Sequence, residues 1–357
     1  MQSFGQRALN RIYLDHAATT PVLPAARQAV ADGLARWANP SSPHAEGRAA
    51  RAALEEARAR VKAALGWDHA LIFTSGASEA LAIALGRAKA GRRLASSVEH
   101  DALFRAAPDA ARLAVSADGA VALEDVEGGD LVAIQSVNNE TGVIQPLDDI
   151  AVRLRGAGAL LLADCAQSAG KLPLPDADFI ALSAHKLGGP PGIGALLVRD
   201  LAALEATGGQ EQGYRTGTEN LPAALGFAAA LEERRGWVAR AAELRDHLER
   251  ALVAGGGEVV AASAPRIPTI GAYHMPGVPA ASQLIQFDLA GIAVSAGSAC
   301  SSGSVKPGHV LSAMGWPEEK AREVIRVSFG AATTRADIYA FVNVWTRLAA
   351  EARRRAA

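Results

Sequence analysis

The chain reads as an α/β protein with a large, mostly parallel sheet and a smaller α+β unit at its C-terminal end. Three observations carry this. Short apolar runs alternate with amphipathic stretches through the first two thirds of the 357 residues. The pattern breaks at about Leu221 into a long Ala/Leu-rich helical region. Half of the composition is hydrophobic and only 20% is charged, which gives ample material for a core and argues against disorder.

The elements follow in order. Residues 46–65 form a helix, because Ala50, Leu54, Ala57, Val61 and Ala64 recur at spacings of four and three and so build one apolar stripe. Residues 71–73, 93–97, 131–136, 160–163, 179–182 and 193–198 are continuous apolar runs of strand length, as strands buried on both faces of a parallel sheet require. A helix is expected from about Ser78 to Lys89, directly after the first of these strands. One long helical region then covers 221–253 and ends at Gly255-Gly256-Gly257. The remainder mixes strands at 267–273 and 325–329 with helices at 280–290 and 335–354. The expected division is a large domain over 11–240 and a small one over 241–357, with the first few residues packed against the latter.

Several function classes drop out. The net charge of −1 provides no field for nucleic acid or anionic lipid. Two cysteines, Cys165 and Cys300, cannot make a disulfide scaffold or an all-cysteine metal site. The first ten residues lack the apolar core of a signal peptide, and no apolar run approaches the ~18 residues of a membrane span. A cytoplasmic location is the expectation.

Ligands of parallel sheets bind beyond the C-terminal strand ends. Five successive strand ends here carry polar groups: Thr74-Ser75-Gly76-Ala77-Ser78, Glu99-His100, Asn138-Asn139-Glu140, Asp164-Cys165-Ala166-Gln167 and Ser183-Ala184-His185-Lys186. Each alone has an ordinary explanation, such as a helix cap for Asp164 or Ser78. His69, His247, His274 and His309 read as structural or surface residues. Together the strand ends match the needs of pyridoxal phosphate, which takes a lysine, an acid for its ring nitrogen, phosphate donors and a group over its ring. Lys186, Asp164, Ser183 with His185 and the 77–78 amides, and His100 supply these.

At this point the chain resembles the cysteine desulfurases of the NifS/IscS type, within the class-V aminotransferases. The matching strings run through most of the sequence: 13–21 (Tyr-Leu-Asp-His-Ala-Ala-Thr-Thr-Pro), Asn39-Pro40-Ser41-Ser42 with His44, 73–79, Glu99-His100, 137–142, 164–167, 183–186, Arg215-Thr216-Gly217-Thr218, Ser298-Ala299-Cys300-Ser301-Ser302 and Ile325-Arg326-Val327-Ser328. The resemblance implies a fold-type I transferase with a seven-stranded sheet, and a reaction that turns L-cysteine into L-alanine while sulfur passes to Cys300 as a persulfide. Lys186 would attach pyridoxal 5'-phosphate, and Asp164 would face its ring nitrogen. Gln167 would bond its phenolic oxygen, with His100 over the ring. Asn139 would lie near the ring and the substrate carboxylate, which Arg326 would grip. Ala77, Ser78, Ser183 and His185 would hold the phosphate. Thr218 would reach the phosphate of a neighbouring subunit, which makes the enzyme a homodimer. A sulfur-acceptor protein, an iron–sulfur scaffold or a thiolation protein, would be the partner.

The alternatives are another class-V enzyme, such as a selenocysteine lyase or an aminotransferase, a cofactor-free thiol hydrolase built on Cys300 and His100, and a non-catalytic sulfur carrier. The Gly/Ser-rich cysteine segment favours desulfuration over transamination. The last two leave Asp164, Gln167 and Lys186 without roles. The chain departs from the family pattern at Gln212, where a basic residue is usual, at Ala331, where arginine often follows the glycine, at Cys165, where a small residue is usual, and in a shorter 164–186 segment.

Overall fold

The structure is a computed structural model that describes residues 11–36, 38–233, 236–297 and 308–356. Its centre is a seven-stranded sheet in the order β2-β8-β7-β6-β5-β3-β4. The strands are β2 (Ala70–Thr74), β3 (Arg93–Ser96), β4 (Ala111–Leu113), β5 (Leu131–Gln135), β6 (Leu160–Asp164), β7 (Phe179–Ser183) and β8 (Gly194–Val198). From β4 through β7 every pairing is parallel, and β8 runs antiparallel to both β7 and β2. Because β8 opposes both neighbours, β2 points the same way as β7. The ends of β2, β3, β5, β6 and β7 therefore share one rim.

Both faces of the sheet are covered. Val132 and Ile134 of β5 join a core with helix α2 (Ala45–Leu65) and helix α6 (Leu221–Glu232). Leu131 and Ala133, which alternate with them, join a second core under helix α3 (Ala77–Arg87). The remaining helices before α6 are α1 (Pro24–Ala35), α4 (Asp101–Ala106) and α5 (Leu147–Ala157).

A third core belongs to the C-terminal part. There β12 (Val324–Ser328), β10 (Ile270–His274) and β9 (Glu258–Val259) form an antiparallel sheet. It packs with α7 (Trp237–Ala254), α8 (Ala280–Leu289) and α11 (Arg335–Ala356), while α9 (His309–Ala313) and α10 (Glu318–Ala321) are short. β1 (Ile12–Tyr13) pairs in parallel with β11 (Ile292–Ala293), and Leu14 enters this same core.

The single helical region expected over 221–253 is instead two helices. Glu233 leaves α6 in an extended conformation, and Gly236 caps the start of α7. The physical reason is that they serve different cores. α6 is buried on nearly every face, packed on α1 and α2 in the core of the large sheet, whereas α7 points Ala241, Leu244, Leu248 and Leu252 into the C-terminal core. Strand β4 has no counterpart in the sequence reading, because only Leu113 of its three residues is buried.

Candidate active site

A cavity of about 420 Å³ opens at the common rim. Its walls include Ser75 to Ser78, His100, Asn139, Asp164, Gln167, Ser183, His185 and Lys186. Asp164 is the last residue of β6, and its Oδ1 accepts the N–H of Ala166 at 2.9 Å. Burial pushes its pKa above the usual carboxylate value, against the pull of His100 and Lys186 nearby. Lys186 ends a short 3₁₀ turn directly after β7. Its Nζ donates to the carbonyl of Ala17 at 2.5 Å. Burial and the Arg326 charge lower its pKa to about 8.

Gln167 Nε2 donates to the same Ala17 carbonyl at 2.9 Å, and Gln167 Oε1 is buried without a hydrogen-bond partner among the described residues. His185 places Nδ1 3.2 Å from Thr19 Oγ1, and burial lowers its pKa to about 4, so it is neutral at pH 7. His100 caps α4: its Nδ1 accepts the N–H of Ala102 at 3.1 Å. That bond fixes the tautomer of the neutral ring, with the proton on Nε2. Burial lowers the pKa of His100, so the neutral form is favoured.

Also on the cavity wall, α3 begins after Gly76 with no side-chain cap on its first amides. Ser183 closes β7 beside this turn. Gly194 lets strand and turn approach, since a Cβ there would lie 2.7 Å from Gly76 Cα.

A second cavity of about 400 Å³ shares His100, Asn139 and Lys186 with the first and continues to Asp15, Ser295, His309 and Arg326. Arg326, on β12, donates through Nη1 to the Asn139 carbonyl at 3.0 Å and through Nη2 to Asp15 Oδ1 at 2.8 Å. Its Nε is buried and free of hydrogen bonds among the described residues. A guanidinium held on two sides in this way is preset for a carboxylate.

The structure thus brings together Ala77, Ser78, His100, Asn139, Asp164, Gln167, Ser183, His185 and Lys186, with Arg326 in the adjoining cavity. Thr218 is exposed and lines neither cavity. Its loop is tied to α3 by the Arg215–Glu79 ion pair at 3.1 Å. Cys300 lies outside the described residues. Cys165 is fully buried, and burial pushes its thiol up to about 12, as expected of an unreactive packed residue. Sequence reasoning missed Asp15 and the Ala17 carbonyl, and it placed His309 among surface or structural histidines although it lines the second cavity. The string around Asp15 to Thr20 was the available signal.

These residues fit pyridoxal phosphate. The raised pKa of buried Asp164 is what a carboxylate short of a cationic partner shows, and a ring nitrogen that carries a proton is such a partner. Helix amides without a side-chain cap and the buried Ser183 suit a dianionic phosphate in the same cavity. Lys186, lining the same cavity, has the lowered pKa that an amine nucleophile needs.

A family model for aminotransferase class V matches residues 12–341, nearly the whole described chain. The chain belongs to the class-V aminotransferase family. Among class-V members it is 36% identical to a cysteine desulfurase of Gluconacetobacter diazotrophicus, over 97% of this chain and 95% of that protein. It is 35% identical to a cysteine desulfurase of Cereibacter sphaeroides, over 94% and 95%. A solved NifS-like protein from Rickettsia africae superposes with a TM-score of 0.86 at 30% identity, covering 95% of this chain and 99% of the other. These class-V enzymes depend on pyridoxal phosphate, in accord with the donor set above.

Proposed function

We propose that the chain is a pyridoxal 5'-phosphate-dependent cysteine desulfurase, which converts L-cysteine to L-alanine and transfers the sulfur to the Cys300 thiol. The observation that carries this reading is the meeting of Lys186, Asp164 and His100 in one cavity that continues to Arg326. Bound pyridoxal phosphate supplies an electron sink next to the substrate amino group.

The chain's own residues do the rest. Lys186 is the attachment point, and its pKa of about 8 leaves a working fraction of neutral amine to move a proton at the substrate carbon. Asp164 would hold the proton of the ring nitrogen. His100 would lie over the ring and would move a proton at the substrate sulfur. The amides of Ala77 and Ser78, with Ser183 and neutral His185, would bind phosphate, and Gln167 would bond the phenolic oxygen. Arg326 and Asn139 take the substrate carboxylate, and Asp15 fixes the guanidinium for that contact. Cys300 accepts sulfur as a persulfide and passes it to an acceptor protein, in supply of iron–sulfur clusters, thio-cofactors or tRNA thiolation.

Thr218, exposed and away from its own cavity, serves the phosphate site of a second subunit in a homodimer. The domains divide near 240, and the enzyme works in the cytoplasm. None of the described helices is long and apolar enough to cross a membrane.

The test is the visible spectrum of the purified protein with and without L-cysteine, coupled to measurement of alanine and sulfide. A yellow protein whose band shifts on adding cysteine, and which forms alanine, supports the proposal. A colourless protein that takes up no pyridoxal phosphate overturns it.

A further inference from the structure

The mechanism above uses His100 but leaves His309 without a role. His309 begins α9, yet its side chain reaches back across the cleft to the segment that carries His100. Its Nε2 is 2.7 Å from the Glu99 carbonyl, which can only accept, so Nε2 donates. Its Nδ1 is 3.6 Å from Asp101 Oδ1. Its ring meets Phe104 edge-on, with centroids 5.5 Å apart. The residue before His100, and Phe104 further along α4, are thus held by a single imidazole, with Asp101 beside it. With 35% of its side chain exposed, His309 is no core filler. Gly308 permits the approach, because a Cβ there would fall 2.6 Å from Glu140 Oε2.

The need for such a hold follows from the cap. Nδ1 of His100 accepts the Ala102 N–H. If the ring takes a second proton at Nδ1, or turns to present Nδ1 elsewhere, two donors face each other or the cap is lost. A lost cap leaves the Ala102 N–H without its side-chain acceptor. Each proton that His100 moves therefore loosens the start of its own six-residue helix. The Glu99 carbonyl and Phe104 contacts of His309 do not pass through the His100 ring, so they keep the backbone in place while the ring changes state.

We propose that His309 is a positioning residue for His100: it clamps residues 99–104 across the cleft, so that the His100 ring can exchange protons without the segment moving. The inference rests on the role of His100 given above.

The experiment compares His309→Ala, His309→Gln and His100→Ala as holoenzymes with L-cysteine, together with ¹⁵N-histidine spectra of the cofactor-free proteins. A glutamine amide can still donate to the Glu99 carbonyl. The expected result for His309→Ala is a kcat lowered by about 10-fold, as displacement of a catalytic group without its loss predicts, with KM changed less than about twofold. Its cofactor content and Tm stay close to wild type. In the cofactor-free protein the His100 ring resonances of His309→Ala move away from the wild-type position, and in His309→Gln both kcat and resonances return most of the way. The proposal is overturned if kcat of His309→Ala is within twofold of wild type, if kcat falls only in step with Tm, if the His100 resonances are unmoved, or if glutamine rescues no better than alanine. A His100→Ala enzyme with normal kcat would instead overturn the role of His100 itself.

Discussion

The two ends of the cleft are built in different ways. The end that holds Lys186, Asp164, Gln167 and Ser183 comes from successive strand ends of one sheet, within about two dozen residues of sequence. The end that holds Arg326 is assembled from remote parts of the chain: Arg326 and Asp15 are 311 positions apart, and His309 meets Glu99 across 210. The first kind of site is fixed by topology, since a parallel sheet delivers its loops to one rim. The second exists only once the C-terminal core has docked. Damage to the first should remove chemistry, and loss of the Arg326 fork should alter substrate handling, whereas His309, which acts through His100, should affect kcat like the first end.

Lys186→Ala is the most severe break of the first end. It should fold, and lose turnover by at least about 10³-fold, as loss of an essential nucleophile implies. Measured kcat together with a near-wild-type circular dichroism spectrum checks this. Asp164→Asn should come next, with kcat lowered by about 10²-fold and the cofactor still bound, because the electronic partner of the ring is gone while the Ala166 N–H keeps an acceptor. Arg326→Lys probes the other end. It keeps a charge but loses the fork, so KM for L-cysteine should rise about tenfold while kcat changes little. An Arg326→Lys enzyme that loses kcat and keeps KM would break the contrast drawn between the two ends.

A smaller effect is visible in stability. In the cofactor-free protein the folded-state pKa of Lys186 is about 8, below the ordinary lysine value of 10.5. Below pH 8 lysine is protonated in folded and unfolded chains alike, and the folded state bears the full penalty of a desolvated cation. As pH rises from about 8 to 10.5 the folded chain sheds this proton first and the penalty fades. Lys186→Met should therefore raise the Tm of the cofactor-free protein at pH 7 and lose that advantage towards pH 10, read by differential scanning calorimetry. Cys165→Ser should have the least effect on function, with a stability loss of about 1 kcal/mol and unchanged kcat, because its thiol lies in the sheet core and not in the cleft.

The same contrast explains what could be read from the sequence. The strands of the central sheet are apolar on both faces, so β5, β6 and β7 stand out as continuous runs, and the polar groups behind them stand out by position. Strand β4, exposed at the sheet edge, carries no such pattern. Nothing in the local pattern around 233–236 shows that α6 and α7 serve separate cores, since both are rich in Ala and Leu. Asp15 as the holder of Arg326, and His309 as a neighbour of His100, depend on tertiary contacts that no spacing in the sequence encodes.

The most direct test of the account is where the cofactor attaches. Borohydride reduction of the yellow holoenzyme, followed by proteolysis and mass spectrometry of the labelled peptide, locates the lysine. The account predicts the label on Lys186, at the junction of the two cavities. A label on Lys62, Lys89, Lys171, Lys306 or Lys320, with Lys186 unmodified, would contradict it.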